Sequence, residues 1–148
     1  MYQQILVPVD GSQSALNALR QAVTVAKAFG STLFLVHVID PYPFLGAGAD
    51  YALGQADYLS AATSNANNAL HAATEIVTAA GLQSDSAVVD GHAAEEGILA
   101  TAKTCGADLI VMGSHGRRGI EKLLLGSVTQ RVLQDARVPV LVVRGSEA

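Results

Sequence analysis

Apolar residues fall into short blocks separated by stretches of helical spacing. QILVPVD (residues 4–10), TLFLVHVI (32–39) and DLIVM (108–112) are almost continuously aliphatic. Such runs suit strands covered on both faces inside a parallel sheet. SDSAVVD (84–90) is a shorter block with polar ends, and VPVLVVR (138–144) is a fifth. Pro8 sits near the end of the first block, where a missing ladder donor does least harm. Between the blocks the period changes. Residues 12–29 carry Leu16, Leu19, Val23 and Ala26 at three-four spacing and stop at Gly30. Residues 57–80 are alanine-rich, with Ala62, Ala66, Ala69, Leu70, Ala73, Ile76 and Val77 on one side and Gly81 closing them. A third helix is expected over 93–104 despite Gly97, which costs about 1 kcal/mol relative to Ala. A short fourth helix runs from Ser127 to Asp135. Residues 40–56, with Pro41, Pro43, Gly46, Gly48 and Gly54, read as the longest irregular segment, a lid or mobile connector.

Alternating strands and helices with short connections predict an α/β fold: a Rossmann-like open parallel sheet of five strands, right-handed crossovers and helices on both faces. The length of 148 residues suits one domain over 1–144, followed by a short tail at 145–148. Ligands of such sheets sit beyond the carboxyl ends of the strands, where the strand order reverses. If strands one and four are neighbours there, Asp10 and Gly113 share one lip of the crevice.

Charge and cysteine content narrow the function. Nine Lys and Arg against thirteen Asp and Glu give a net charge of −4. With no basic stripe, nucleic-acid binding is disfavoured, because that affinity rests on cations against phosphates. One cysteine, Cys105, excludes an internal disulfide or a cysteine-rich metal site. No aliphatic run is long enough to span a membrane, and the chain enters its first strand without a leader-like segment. A cytoplasmic location is the expectation.

The chemistry concentrates in residues 111–129, VMGSHGRRGIEKLLLGSVT. A strand runs into Gly113-Ser114-His115-Gly116, and nine residues later Gly126-Ser127 opens the fourth helix. Glycines permit tight turns and close ligand approach. A helix start offers unpaired amides and a positive dipole end to a phosphate. Ser127 and Gln130 fit a capping box, which aims the Val128 and Thr129 amides at an anion. The stretch is not a P-loop, since no Lys precedes Ser127, and it is neither G-x-G-x-x-G nor G-x-S-x-G. Asp10 is expected to contact ribose or metal-bound water, against the plainer role of capping the next helix. His115 reads as a loop residue and not a metal ligand, His37 as a packed strand residue, and His71 and His92 as surface groups. Ser114 lacks an oriented base and makes a poor nucleophile.

With these residues assembled, the chain resembles the universal stress protein family over nearly its whole length. The matching segments are ILVPVDGS (5–12), LVHV (35–38) and the run 107–143, which contains DLIVMGSHGR, LLLGSVTQRVL and VPVLVV. The family's nucleotide-binding branch carries glycine, two residues, glycine, nine residues, then glycine and Ser or Thr; Gly113, Gly116, Gly126 and Ser127 complete it. The resemblance implies strand order 3-2-1-4-5 and ATP in the crevice. It implies that the backbone around Val38 meets adenine and that Pro8, Val9 and Asp10 line base and ribose. Met112, Gly113, His115, Gly116, Gly126, Ser127, Val128 and Thr129 surround ribose and phosphates, with Arg117 beside the phosphates. Any Mg2+ is held mainly by phosphates and water. Homodimers through strand five (Val138 to Val143), or higher oligomers, follow from the same likeness, as does an unidentified protein partner. The expected function is an ATP-binding stress-response regulator acting as a nucleotide-dependent homodimeric switch, with at most slow ATP hydrolysis. The alternatives are a nucleotide-cleaving enzyme of the same fold and a chaperone-like dimer with incidental nucleotide.

Overall fold

The structure, a computed structural model, describes residues 1–40, 51–115 and 125–144. The chain order is β1 (Gln4–Pro8), α1 (Gln13–Phe29), β2 (Thr32–Ile39), α2 (Tyr51–Ala79), β3 (Ser84–Asp90), α3 (Ala94–Cys105), β4 (Leu109–Gly113), α4 (Ser127–Asp135) and β5 (Val140–Val143). The strands form one sheet in the order β3-β2-β1-β4-β5, all neighbours parallel. The order reverses between β1 and β4, as the ligand crevice of this architecture requires.

Strand alternation sorts the aliphatic blocks into two cores. Ile5, Val7, Leu33, Leu35, Leu109 and Val111 lie in one cluster with Leu19 and Val23 of α1 and Leu70 and Val77 of α2. Leu6, Val36, Ile110 and Met112 lie in the other with Ile98 and Ala102 of α3 and Val132 of α4. Helices therefore cover both faces.

Several boundaries differ from the sequence reading. Helix α2 begins at Tyr51, so the irregular segment expected over 40–56 is shorter. The cost of Gly54 is small beside the cooperativity of a 29-residue helix, and the Tyr58 hydroxyl ties this helix to the end of β2 by donating to the Asp40 carbonyl at 2.8 Å. Residues 41–50, where the rest of the expected lid falls, lie outside the described residues, as does the tail at 145–148. On α1, Ala15, Ala18 and Ala22 are buried while Leu16 is only half-buried. Leu19, Val23 and Ala26 are buried as the spacing predicts, and the small side chains widen that inner face and bring the helix close to the sheet. Gly30 ends α1 in the left-handed region, φ 70°. Gly97 has a packing reason for interrupting α3, since a Cβ there would stand 2.7 Å from one Val38 methyl and 2.8 Å from the other. Strand β5 covers only Val140–Val143 of the longer run and is a sheet edge.

At the opposite end of the sheet, Asp108 anchors the start of β1. Its carboxylate accepts from the Gln3 amide at 2.9 Å and the Gln4 amide at 3.1 Å. Burial works to raise its pKa, but the Gln3 and Gln4 amides, together with its own amide and the N-terminal charge, overcome that and hold the carboxyl below the usual carboxylate range. The folded pKa therefore lies below the unfolded value of about 3.9. The contribution is present above that value and is lost as pH falls through the folded pKa. Asp108→Asn is expected to destabilise most at neutral pH, with the gap from wild type closing in acid; urea denaturation from pH 7 to 3 checks this. A gap independent of pH would show that the carboxylate charge is not what matters. Among the described residues no helix is long and apolar enough to cross a membrane.

Candidate functional site

Two loops leave the sheet at the reversal point, and each is fastened by its own hydrogen bonds. After β1 ends at Pro8, the Val9 amide still donates to the Val36 carbonyl at 2.8 Å. The Val9 carbonyl in turn lies 2.8 Å from His37 Nδ1. A carbonyl only accepts, so Nδ1 carries the proton and donates. Asp10 Oδ1 accepts from the Ser12 amide at 2.9 Å, closing a turn that places Gly11 at φ +82°. Ser12 Oγ caps α1 by accepting from Ala15 N at 3.1 Å. The helix cap is thus Ser12, and Asp10 shapes the turn before it.

On the other side, Ser114 N donates to the Val143 carbonyl at 2.9 Å, continuing the sheet past Gly113. The Ser114 carbonyl accepts from Gly126 N at 2.7 Å, and the Thr129 hydroxyl donates to the Gly113 carbonyl at 2.9 Å. These two bonds strap the start of α4 across the carboxyl end of β4. Gly126 is the N-cap, and its carbonyl takes the first helical bond from Gln130 N at 3.0 Å. The amides of Ser127, Val128 and Thr129 head the helix, ahead of its first internal bond. The expected capping box is corrected: Ser127 is the first helical residue, and the Gln130 side-chain amide donates to the Leu125 carbonyl at 3.2 Å. Glycine at the cap leaves no side chain over the helix end.

The predicted residues separate by role. Pro8 and Asp10 are half-buried at the end of β1, while the side chains of Val9 and Met112 are buried in the two cores. Val38 packs its methyls against Gly97. Gly113 has a packing reason to be glycine beside the one expected. A Cβ there would fall on the Ser14 hydroxyl and 2.9 Å from the Ser14 carbonyl oxygen, so close packing of α1 by itself demands glycine. The Ser14 hydroxyl, buried beside it, has no hydrogen-bond partner among the described residues. His115 is half-buried with Nδ1 3.1 Å from Ser114 Oγ. This corrects the expectation that no base stands beside Ser114, although that residue is only 2% exposed. Gly116 and Arg117 lie outside the described residues. Sequence reasoning reads Gly97 only as a helix defect and passes over Ser14 and the main-chain bond of His37, because each depends on a neighbour far along the chain. Among the described residues, no three His, Cys, Asp or Glu side chains cluster to hold a metal ion.

A doubly wound parallel sheet, with a capped helix strapped across its reversal point, defines the class: a Rossmann-like α/β fold. The chain belongs to the Universal stress protein family, whose match covers residues 1–144. It is 35% identical over 145 residues to a universal stress protein of Methanocaldococcus jannaschii, spanning 97% of this chain and 83% of that one. Among solved structures it resembles universal stress protein UspA from Lactobacillus plantarum, with TM-score 0.84 and 28% identity over 97% of this chain and 98% of that one. Two others hold ligands. A universal stress protein in complex with cAMP has TM-score 0.63 and 29% identity over 98% of each chain. One from Archaeoglobus fulgidus in complex with dAMP has TM-score 0.70 and 25% identity, covering 95% of this chain and 97% of that one.

Proposed function

We propose that this protein binds ATP at the carboxyl ends of β1 and β4 and acts as a nucleotide-dependent homodimeric switch in stress regulation, with at most slow hydrolysis. The observation that carries the reading is the start of α4, strapped to β4 through Gly126 and Thr129 so that its leading amides stand at the reversal point. Preorganised amides and the positive end of a helix dipole suit a polyphosphate. The adenine nucleotides held by two structural relatives favour an adenine base. In this reading the Val38 main chain meets the base, and Pro8, Val9 and Asp10 line base and ribose. Met112, Gly113, His115, Gly116, Gly126, Ser127, Val128 and Thr129 surround ribose and phosphates, with Arg117 beside them. Thr129 contributes its amide, because its hydroxyl is engaged with Gly113. Mg2+ bound with ATP would neutralise phosphate charge and be held by phosphate and water.

Slow turnover follows from the residue types. Phosphoryl transfer needs a positioned water, an orienting base and cations at the transferred group, and this chain has no Walker-type lysine. Pairing of two copies through β5 is supported by its place at the sheet edge and by Leu141, which is 40% exposed on it.

The test combines an ATP titration with mass spectrometry of any nucleotide released on heating. The variant is Ser127→Pro. Proline is favoured at the first helical position, and Gly126 already has the extended backbone, φ −70° and ψ 161°, that a following proline demands. The change removes one amide donor and leaves the helix intact. A charge-assisted hydrogen bond is worth about 1.5–3 kcal/mol, so ATP affinity is expected to fall tenfold or more at an unchanged melting temperature. Equal affinity in both proteins would overturn the placement of the phosphates.

A further inference from the structure

We propose that His37 is a positioning residue for the nucleotide: its ring takes the Val9 carbonyl away from the β1–β2 ladder and turns the Val38 main chain toward the crevice. This rests on the ATP reading above. In a parallel ladder the bonds alternate regularly, and each residue directs its N–H and C=O to the same side. The Thr32 amide donates to Gln3 and the Val36 carbonyl accepts from Val9, whereas the Leu33 amide donates to Gln83. Even-numbered residues of β2 therefore face β1, and odd-numbered ones face β3. By that alternation Val38 directs both main-chain groups to the β1 side.

With Val9 N already on Val36 O, the next ladder bond would run from the Val38 amide to the Val9 carbonyl. It would extend the pairing to Val9 and His37. The ladder stops instead at Pro8 and Val36, and His37 Nδ1 occupies the Val9 carbonyl at 2.8 Å. The imidazole thus replaces the main-chain donor that regular sheet would supply. Beyond Val9 the chain swings away through the Asp10 turn. The Val38 amide and carbonyl are left side by side at the lip, a donor and an acceptor matching the acceptor and donor edge of adenine. Packing of the Val38 side chain against Gly97 keeps that edge in register.

Two substitutions separate this role from simple packing. His37→Asn can place its side-chain amide where Nδ1 lies and keep a donor on Val9. His37→Phe keeps ring shape and strand preference and removes the donor. We expect wild type and His37→Asn to bind ATP within about twofold of each other and His37→Phe to bind about tenfold more weakly. The second readout needs no nucleotide. Hydrogen exchange of the Val38 amide in the free protein is expected to slow in His37→Phe, as that amide takes over the Val9 carbonyl, and to stay fast in His37→Asn. If His37→Phe fails to fold, His37→Leu serves as the donorless variant. Equal ATP affinity in wild type and the donorless variant, or unchanged Val38 exchange, overturns the role of His37. No ATP binding by wild type overturns the functional reading itself, while the exchange result still reports separately on the His37 bond.

Discussion

Gly113→Ala is expected to lower stability by about 3 kcal/mol, a fall of roughly 10 °C in melting temperature for a chain of this size. The added methyl would meet the Ser14 hydroxyl and would also lie 2.9 Å from the Ser14 carbonyl oxygen and 3.0 Å from its carbonyl carbon. A hydroxyl can rotate away, but the first turn of α1 can move only as a unit. It is held there by the Ser12 cap and by Ala15, Ala18 and Leu19 in the core. Ser14→Gly should therefore restore only part of the loss. Urea denaturation of the single and double variants checks this, and full rescue by Ser14→Gly would show that backbone crowding is unimportant. The variant cannot serve as a clean binding test, because any loss of ATP affinity would be mixed with displacement of α1 from β4.

Gly97→Ala pits two effects against each other. Replacing glycine inside a helix favours folding by about 1 kcal/mol, while overpacking typically costs 1–3 kcal/mol. Here the crowding should win. The new methyl would stand 2.7 and 2.8 Å from the two Val38 methyls, and a β-branched side chain in a strand has few rotamers to escape into. A net loss of up to about 2 kcal/mol is expected. Combining it with Val38→Ala should show a favourable coupling of at least about 1 kcal/mol in a double-mutant cycle. Additive losses would place the strain elsewhere. On the proposed ATP reading, in which the Val38 main chain meets the base, Gly97→Ala should also weaken ATP binding, and the double variant should recover part of it.

These two glycines mark the limit of what local sequence could reveal. Gly30 was legible as a helix stop because its left-handed backbone is a local requirement, satisfied by the Ala26 carbonyl four residues back. Gly97 looked like a defect in α3, and Gly113 looked like part of a ligand loop. In the folded chain each also has a neighbour distant in sequence pressed against it, which local sequence does not show. The start of α4 repeats the lesson. Ser127 and Gln130 have the spacing of a capping box, but strapping through Gly126 and Thr129 shifts the cap by one residue.

The sequence by itself determined the order and type of the elements seen among the described residues and the parallel sheet they form. Each depends on short-range periodicity: the aliphatic runs can be covered only on both faces, and the helical stretches present one apolar side. Glycine, strand and helix follow one another closely enough around residues 113–129 to be read together. The tertiary structure alone decided which glycine yields to packing, that α2 extends back to Tyr51, that His115 lies against Ser114, and that His37 reaches the Val9 carbonyl. The helix boundary and the Ser114–His115 contact are local in sequence but follow from how the folded chain is fixed. The glycine contacts and the His37 bond join residues dozens of positions apart, and only sheet register and helix docking bring such groups within hydrogen-bond or van der Waals distance.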